Sequence, residues 1–266
     1  MSPTSTEATI PLPATPVALV TGAGRRLGRA IALGLARDGW DIVAHYRHSE
    51  AEAATLVAAV RALGRRAVAL QCDLAREDEV RRLLPRAIVA LGPVTCIVNN
   101  ASLFDYDTAA DFGHAALDRH MHANLAAPLL LAQALHGATP ADGRAVVVNL
   151  LDQKLYNLNP DFLSYTLSKA ALHTATTLLA QALAPTVRVV GVAPGITLVS
   201  GDQTEAAFQQ AHQRTPLGRS STPDDVAAAV CYVARAGALT GTTLLVDGGQ
   251  HLVPLVRDVM FSAPSS

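Results

Sequence analysis

Cysteine is scarce in this chain. The 266 residues include three, Cys72, Cys96 and Cys231, and their spacing matches no metal-ligand set. No metal site is expected. Two of the three lie in apolar runs, so buried, reduced thiols in a cytoplasmic protein are expected rather than a disulfide framework. Net charge is nearly absent as well, at −1, which gives no electrostatic reason to expect nucleic acid or an anionic membrane as a partner. No apolar run reaches the roughly 18 residues of a membrane span. No basic stretch precedes an apolar one at the N-terminus, so no signal peptide is expected. Charged residues make up 16% of the chain against 50% hydrophobic, enough apolar material for one large core.

What is present is a long alternation of strand-like and helix-like segments. Residues 1–16 are rich in Ser, Thr, Pro and Ala without periodicity and are expected to form a disordered tail. The remainder, 17–266, is read as one domain, with no internal repeat. A short apolar run, VALV at 17–20, suits a central parallel strand. TGAGRRLG at 21–28 follows, and then a helical pattern at 29–36. Gly22 and Gly24 allow a tight turn and a close approach of backbone to phosphate. Gly28 allows close helix–strand packing, and the helix start offers amide donors for a pyrophosphate. Arg25 and Arg26, ahead of Leu27, add positive charge there. An ordinary βα turn is the alternative, but the placement between a first strand and a helix favours dinucleotide binding.

The second strand, at 41–46, ends in Tyr46, Arg47, His48 and Ser49, with no carboxylate before Glu50. An acid at that point holds the ribose 2′-hydroxyl of NAD, whereas basic residues accommodate the 2′-phosphate of NADP. NADP(H) is therefore the expected cofactor. Helices are expected at 50–63 and 77–90, the second kinked or split by Pro85, with a strand at 67–71 between them. Asp73, followed by Leu74, is placed to contact adenine or to cap the next helix. A strand at 95–99 runs into Asn100, Ala101, Ser102 and Phe104. One helix is expected across about 115–135, carrying Asn124 and Pro128. A helix at 168–183, a strand at 187–192, a helix at 224–235 and a strand at 242–246 follow. A polar, helix-prone stretch at 201–219 stands where a mobile lid would. The repeated alternation predicts an α/β doubly wound parallel sheet, a single-domain Rossmann fold. Ligands in such sheets bind beyond the carboxyl ends of the strands, where the 22–28 turn, the 99–104 loop, Asp152 and the 194–197 turn all fall.

Tyr165 and Lys169 form a Y-x-x-x-K pair on one helix face, about 5–6 Å apart at Cβ. A neighbouring ammonium favours the phenolate and is expected to lower the phenol pKa, which suits a general acid. Asp152 follows a strand at 144–151 and can meet Tyr165 at one site. An ionised Asp152 acts in the opposite sense and raises that pKa. Asp152 as a simple loop cap, or as a partner of Lys154, is the bland alternative.

These pieces together resemble the short-chain dehydrogenase/reductase family, from about residue 17 to residue 249. The matching residues are Thr21, Gly22 and Gly28, Asp73-Leu74, Asn99-Asn100-Ala101, Asn124, Tyr165 with Lys169, Pro194-Gly195 and Asp247-Gly248-Gly249. The resemblance implies a proton-donating Tyr165. It also implies a Lys169 that holds the nicotinamide ribose, and an Asn124 that supports a proton-relay water. Pro194, Gly195 and Ile196 would contact the cofactor. Two positions depart from the family pattern: Arg26 replaces the middle glycine, and Asp152 replaces the usual serine. Both are similar to the pteridine reductase branch, as are HYRHS at 45–49 and NNASLF at 99–104. That branch implies Ser102 contacting cofactor or pterin and Phe104 stacking on the pterin, with Asp152 and Tyr165 also on the substrate. The substrate segment, 198–218, has no clear match. The leading expectation is an NADPH-dependent reductase of pterins or a similar C=N heterocycle. A reductase of ketones or 3-oxoacyl groups is the alternative, and a non-catalytic NADPH-binding sensor the remote one. Family resemblance further implies a homotetramer paired through long helices. The apolar C-terminal stretch 251–261, within the 251–266 tail, is expected to pack on a neighbour.

Overall fold

The computed structural model describes residues 15–199 and 204–261. The expected disordered tail lies outside the described residues except at its end, where Pro16 already accepts a hydrogen bond from Asp41 N (2.9 Å).

Seven strands form one parallel sheet in the order β3-β2-β1-β4-β5-β6-β7. They are β1 (Val17–Val20), β2 (Asp41–Tyr46), β3 (Ala67–Gln71), β4 (Val94–Asn99), β5 (Ala145–Leu150), β6 (Val187–Pro194) and β7 (Thr243–Val246). All of β1 and β5 is buried. Helices cover both faces of the sheet, so its central strands are almost continuously apolar instead of alternating. On one face Ile31 and Leu35 of α1 (Arg26–Arg37), Leu56 of α2 (Glu50–Ala62) and Val226 and Val230 of α8 (Pro223–Arg235) share a core. On the other, Leu83 and Leu84 of α3 (Glu77–Leu91) pack with Leu131 and Leu135 of α5 (Ala127–Ala138). α6 (Leu163–Ala182) lies beside α5 on that second face. The strand order reverses between β1 and β4, which opens a crevice at their carboxyl ends.

Four elements differ from expectation. α3 runs through Pro85 without a break. Pro85 is exposed, as is Arg81, whose carbonyl loses its partner there, so the unpaired group lies on the solvent side of the helix. The single helix expected at 115–135 is three pieces: α4 (His114–Met121), a π-helical turn (His122–Ala126) and α5. Asn124 sits in that turn, and π-turns often mark functional sites. α6 starts five residues earlier than residue 168 and so carries Tyr165 as well as Lys169. β5 begins at Ala145, leaving Arg144 outside. In the expected lid region, α7 (Glu205–Gln213) is anchored by buried Phe208 and Ala211, while 200–203 lie outside the described residues.

Candidate active site

The turn after β1 is built for close approach. Gly22 has φ +63°, and a Cβ there would lie 3.1 Å from Ala101 Cα. A Cβ on Gly28 would lie 2.2 Å from Gly22 O, so only glycine fits between turn and helix. Arg26, at the family's middle glycine, adopts φ +49°. That is a left-handed conformation, with the steric cost a side chain carries there. Arg25 forms an exposed ion pair with Glu52 of α2.

His45 fastens this turn from below. Gly22 N–H donates to its Nδ1 (3.0 Å), and its Nε2–H donates to Cys72 O (2.9 Å). Burial pulls His45 down to about 4, outweighing the Cys72 carbonyl and the Asp73 charge. The ring is therefore neutral, with one acceptor for the turn and one donor for the end of β3. Asp73 does not cap α3. Its Oδ1 accepts from Ala75 N (3.0 Å), and Arg76 stands at the cap position instead. Asn100 ties β4 to the same turn, its N–H donating to Thr21 Oγ1 and its amide to Thr21 O (both 2.9 Å).

The catalytic candidates meet at the end of β5. Tyr165 Oη donates to Asp152 Oδ2 (2.7 Å), and Asp152 Oδ1 accepts from Lys154 N (2.8 Å). Asp152 thus caps the 3₁₀ turn Gln153–Tyr156 and binds the phenol at once. Lys169 Nζ donates to Leu150 O (2.7 Å) and stands 5.8 Å from the Tyr165 ring centroid. The expectation that Lys169 lowers the phenol pKa fails here. Burial, then the Asp152 carboxylate, hold Tyr165 well above its usual range. Burial also raises Asp152, against the Tyr165 hydrogen bond, and lowers Lys169 to about 8. Desolvation disfavours each charged form and outweighs the attraction among them.

Asn124 is 1% exposed and stands behind the site. Its Oδ1 accepts from Leu103 N (2.7 Å), and its Nδ2 donates to Leu103 O (2.9 Å) and Ser168 Oγ (3.0 Å). The side chain therefore clasps the 100–104 loop to α6. Phe104 stacks on Phe162 (4.2 Å between centroids, 15°) and meets Tyr165 edge-on (4.6 Å). The ring remains 39% exposed.

Several residues here were missed from sequence. Asp107 caps α6, accepting from Ser164 N (2.9 Å) and from the Ser164 hydroxyl. Phe162, just ahead of α6, holds φ +55° and ψ +55°, a left-handed strain for a non-glycine residue at a functional turn. Gln250 Oε1 accepts from Ile196 N (2.9 Å) and so fixes the turn after β6. Asp258, Val259 and Met260 line the site from near the end of the chain, and Lys154, weighed from sequence only as a partner of Asp152, holds Asp258. The spacing pattern of Asp107 or Gln250 carries no signal, because each partner is more than 50 residues away.

One cleft of about 780 Å³ runs from the end of β2 to Phe104. The residues expected to touch cofactor or substrate line it except Gly24, which packs against Ser49 and Ala53, and Asn124 is represented only by its neighbour Ala123. Tyr46, Arg47, His48 and Ser49 form one mouth, with Arg47 and His48 exposed. Among the described residues no cluster of metal-ligating side chains occurs and no helix is long and apolar enough to cross a membrane.

The sequence profile of the family described as enoyl-(acyl carrier protein) reductase matches residues 22–251. The structure is similar to FolM alternative dihydrofolate reductase 1 of Brucella canis, solved with NADP (39% identity, TM-score 0.85, covering 90% of this chain and 96% of that one). It is similar also to a short chain dehydrogenase of Burkholderia cenocepacia solved with NADP (33% identity, TM-score 0.82, covering 89% and 98%). In sequence it is 29% identical to the 3-oxoacyl-[acyl-carrier-protein] reductase FabG of Staphylococcus epidermidis, covering 88% of this chain and 98% of that one. With its parallel seven-stranded sheet, its glycine turn and its Tyr165–Lys169 helix, this chain belongs to the short-chain dehydrogenase/reductase family of oxidoreductases.

Proposed function

We propose that this protein is an NADPH-dependent reductase of pterins, dihydropterins or a closely similar C=N heterocycle. The observation that carries the reading is the Tyr165–Asp152 hydrogen bond of 2.7 Å. A carboxyl group stands where a hydroxyl would serve a ketone. A ring with N–H donors and a nitrogen to protonate matches that carboxyl, whereas a developing alkoxide is repelled by its ionised form. Phe104 offers an apolar ring beside the same pair. The similar FolM alternative dihydrofolate reductase of Brucella canis, solved with NADP, supports both substrate class and cofactor.

The residues present fit NADP. A Cβ would obstruct the Gly22–Gly28 cradle, and Arg25, Arg26 and Arg47 line the end of the cleft where a 2′-phosphate would lie. When bound, the cofactor supplies the hydride. The chain's own residues manage the proton. With its pKa pushed up, Tyr165 is protonated at neutral pH and is a donor to a nitrogen that becomes basic as hydride arrives. Asp152, one hydrogen bond away, holds the phenol in place and returns a proton to it from solvent. Lys169 contributes its ammonium below about pH 8.

A second reading, reduction of a ketone or 3-oxoacyl group, has its own support. FabG is 29% identical over most of the chain, and burial favours the neutral Asp152 acid, which can donate to a carbonyl oxygen. NADPH consumption against biopterin, dihydrobiopterin, dihydrofolate and a 3-oxoacyl thioester separates the two. Turnover of the thioester alone would overturn the pterin reading. No turnover of any of them, with NADPH bound, would favour a sensor.

The same proposal places the enzyme in the cytoplasm, in keeping with three free cysteines, and makes it a homotetramer. Leu167 and Leu178 lie three turns apart on one face of α6 and are 47% and 59% exposed, an apolar stripe suited to helix pairing. Light scattering should give about four times 27.7 kDa, and a monomeric mass would contradict the assembly.

A further inference from the structure

The C-terminal segment does more than end the fold. Asp258, Val259 and Met260 line the same cleft as Asp152, Tyr165 and Phe104. They are held by a buried ammonium. Lys154 is 2% exposed, and its Nζ donates to Asn159 Oδ1 (2.6 Å), Asp161 O (2.7 Å) and Asp258 Oδ2 (3.1 Å). All three donors are used, and one partner is a carboxylate, which is what a buried ammonium requires. The backbone N–H of the same Lys154 orients Asp152 (2.8 Å). A second anchor lies beside the first. Asp161, 3% exposed, accepts from Arg257 Nε (2.8 Å) and from Asp258 N (2.8 Å). Phe261 completes the attachment by stacking on Phe162 (5.9 Å), which in turn stacks on Phe104 (4.2 Å).

We propose that residues 257–260 are a built part of this chain's own substrate site. Lys154 seats Asp258 beside the Asp152–Tyr165 pair, and Val259 and Met260 close the substrate end to a small planar ring and against an extended acyl chain. Lys154 and Asp258 are positioning residues, acting through Asp152 and through the wall they hold. The Asp258 charge also bears on the reacting groups, raising both Asp152 and Tyr165. The inference rests on the reductase reading for its choice of substrates and deepens it by excluding carrier-bound chains.

Three measurements on the full-length protein test it. In hydrogen exchange, amides at 257–261 should be protected in the wild type and lose protection at least about tenfold in Lys154→Met. Fast exchange in the wild type would overturn the wall without reference to any substrate. If Lys154→Met fails to fold, Asp258→Asn, nearly isosteric, serves in its place. Second, Met260→Ala should raise kcat/KM for a 3-oxodecanoyl thioester relative to an acetoacetyl thioester by about tenfold, the scale of hydrophobic pocket discrimination. An unchanged ratio would overturn the steric role even if no pterin is reduced, a separate result that would count against the pterin reading only. Third, Asp258→Asn should move the limb of kcat/KM set by Asp152 to lower pH, the acidic limb where Asp152 works ionised and the basic limb where it works as the neutral acid. A purely structural Asp258 would lower the rate and leave that limb in place.

Discussion

Neutral His45 links the pH dependence of folding to the cofactor turn. Its pKa is lowered from 6.5 to about 4 by burial, while in the unfolded chain it keeps the ordinary value. Above pH 6.5 both states are neutral at this ring and its contribution is fully present. Between pH 6.5 and 4 the unfolded state binds the extra proton, so stability falls as pH falls. With about 1.36 kcal/mol per unit, the loss is about 1.4 kcal/mol at pH 5.5 and about 2.6 kcal/mol at pH 4.5. In the folded protein Nδ1 protonates only near pH 4, which removes the acceptor for Gly22 N–H, so NADPH affinity should hold down to about pH 5 and weaken below it. The control is His45→Asn, which keeps a side-chain acceptor and does not titrate. Urea unfolding of both proteins from pH 7.5 to 4.5 isolates the ring, because every other titrating group is shared. The stability difference between them should change by about 2–3 kcal/mol across that range. A difference independent of pH would refute the reasoning, whatever the absolute stabilities.

Other outcomes follow from the site. Asp152→Ser should lose most pterin activity and gain relative activity on a simple ketone, read as the ratio of the two kcat/KM values. An unchanged ratio would remove the pterin assignment and leave the family intact. Tyr165→Phe removes the proton donor and should cost about 10²–10⁴-fold on any substrate, measured as kcat with NADPH in excess. Arg47→Ala with His48→Ala should weaken NADPH binding while barely changing NADH binding, by fluorescence titration. An equal loss for both would show that these residues do not read the 2′-phosphate. Lys169 carries its charge below about pH 8, so kcat/KM should decline as pH rises through that value, and a flat profile to pH 9.5 would show that the ammonium is not needed.

Local chemistry made much of this protein legible in one dimension. Short apolar runs separated by helical periods determined a parallel doubly wound sheet, because a strand covered on both faces has no polar side to display. Gly22 and Gly28 marked the cradle, since Gly22 takes a left-handed φ of +63° and a Cβ on Gly28 meets the turn's own Gly22 carbonyl. Asp152, Tyr165 and Lys169 were identifiable because one loop and one helix carry all three. Tertiary structure alone decided how those groups titrate. The Tyr165–Lys169 spacing predicted an acidified phenol, yet burial and Asp152 reversed the direction, and desolvation depends on everything packed around a group. It also decided that Asn124 clasps Leu103 and Ser168, from a π-turn that no helical pattern announces. Lys154, Asp161 and Arg257–Met260 came together only in three dimensions. Their contacts span about a hundred residues, and a buried charge finds its partner through the fold rather than through the sequence.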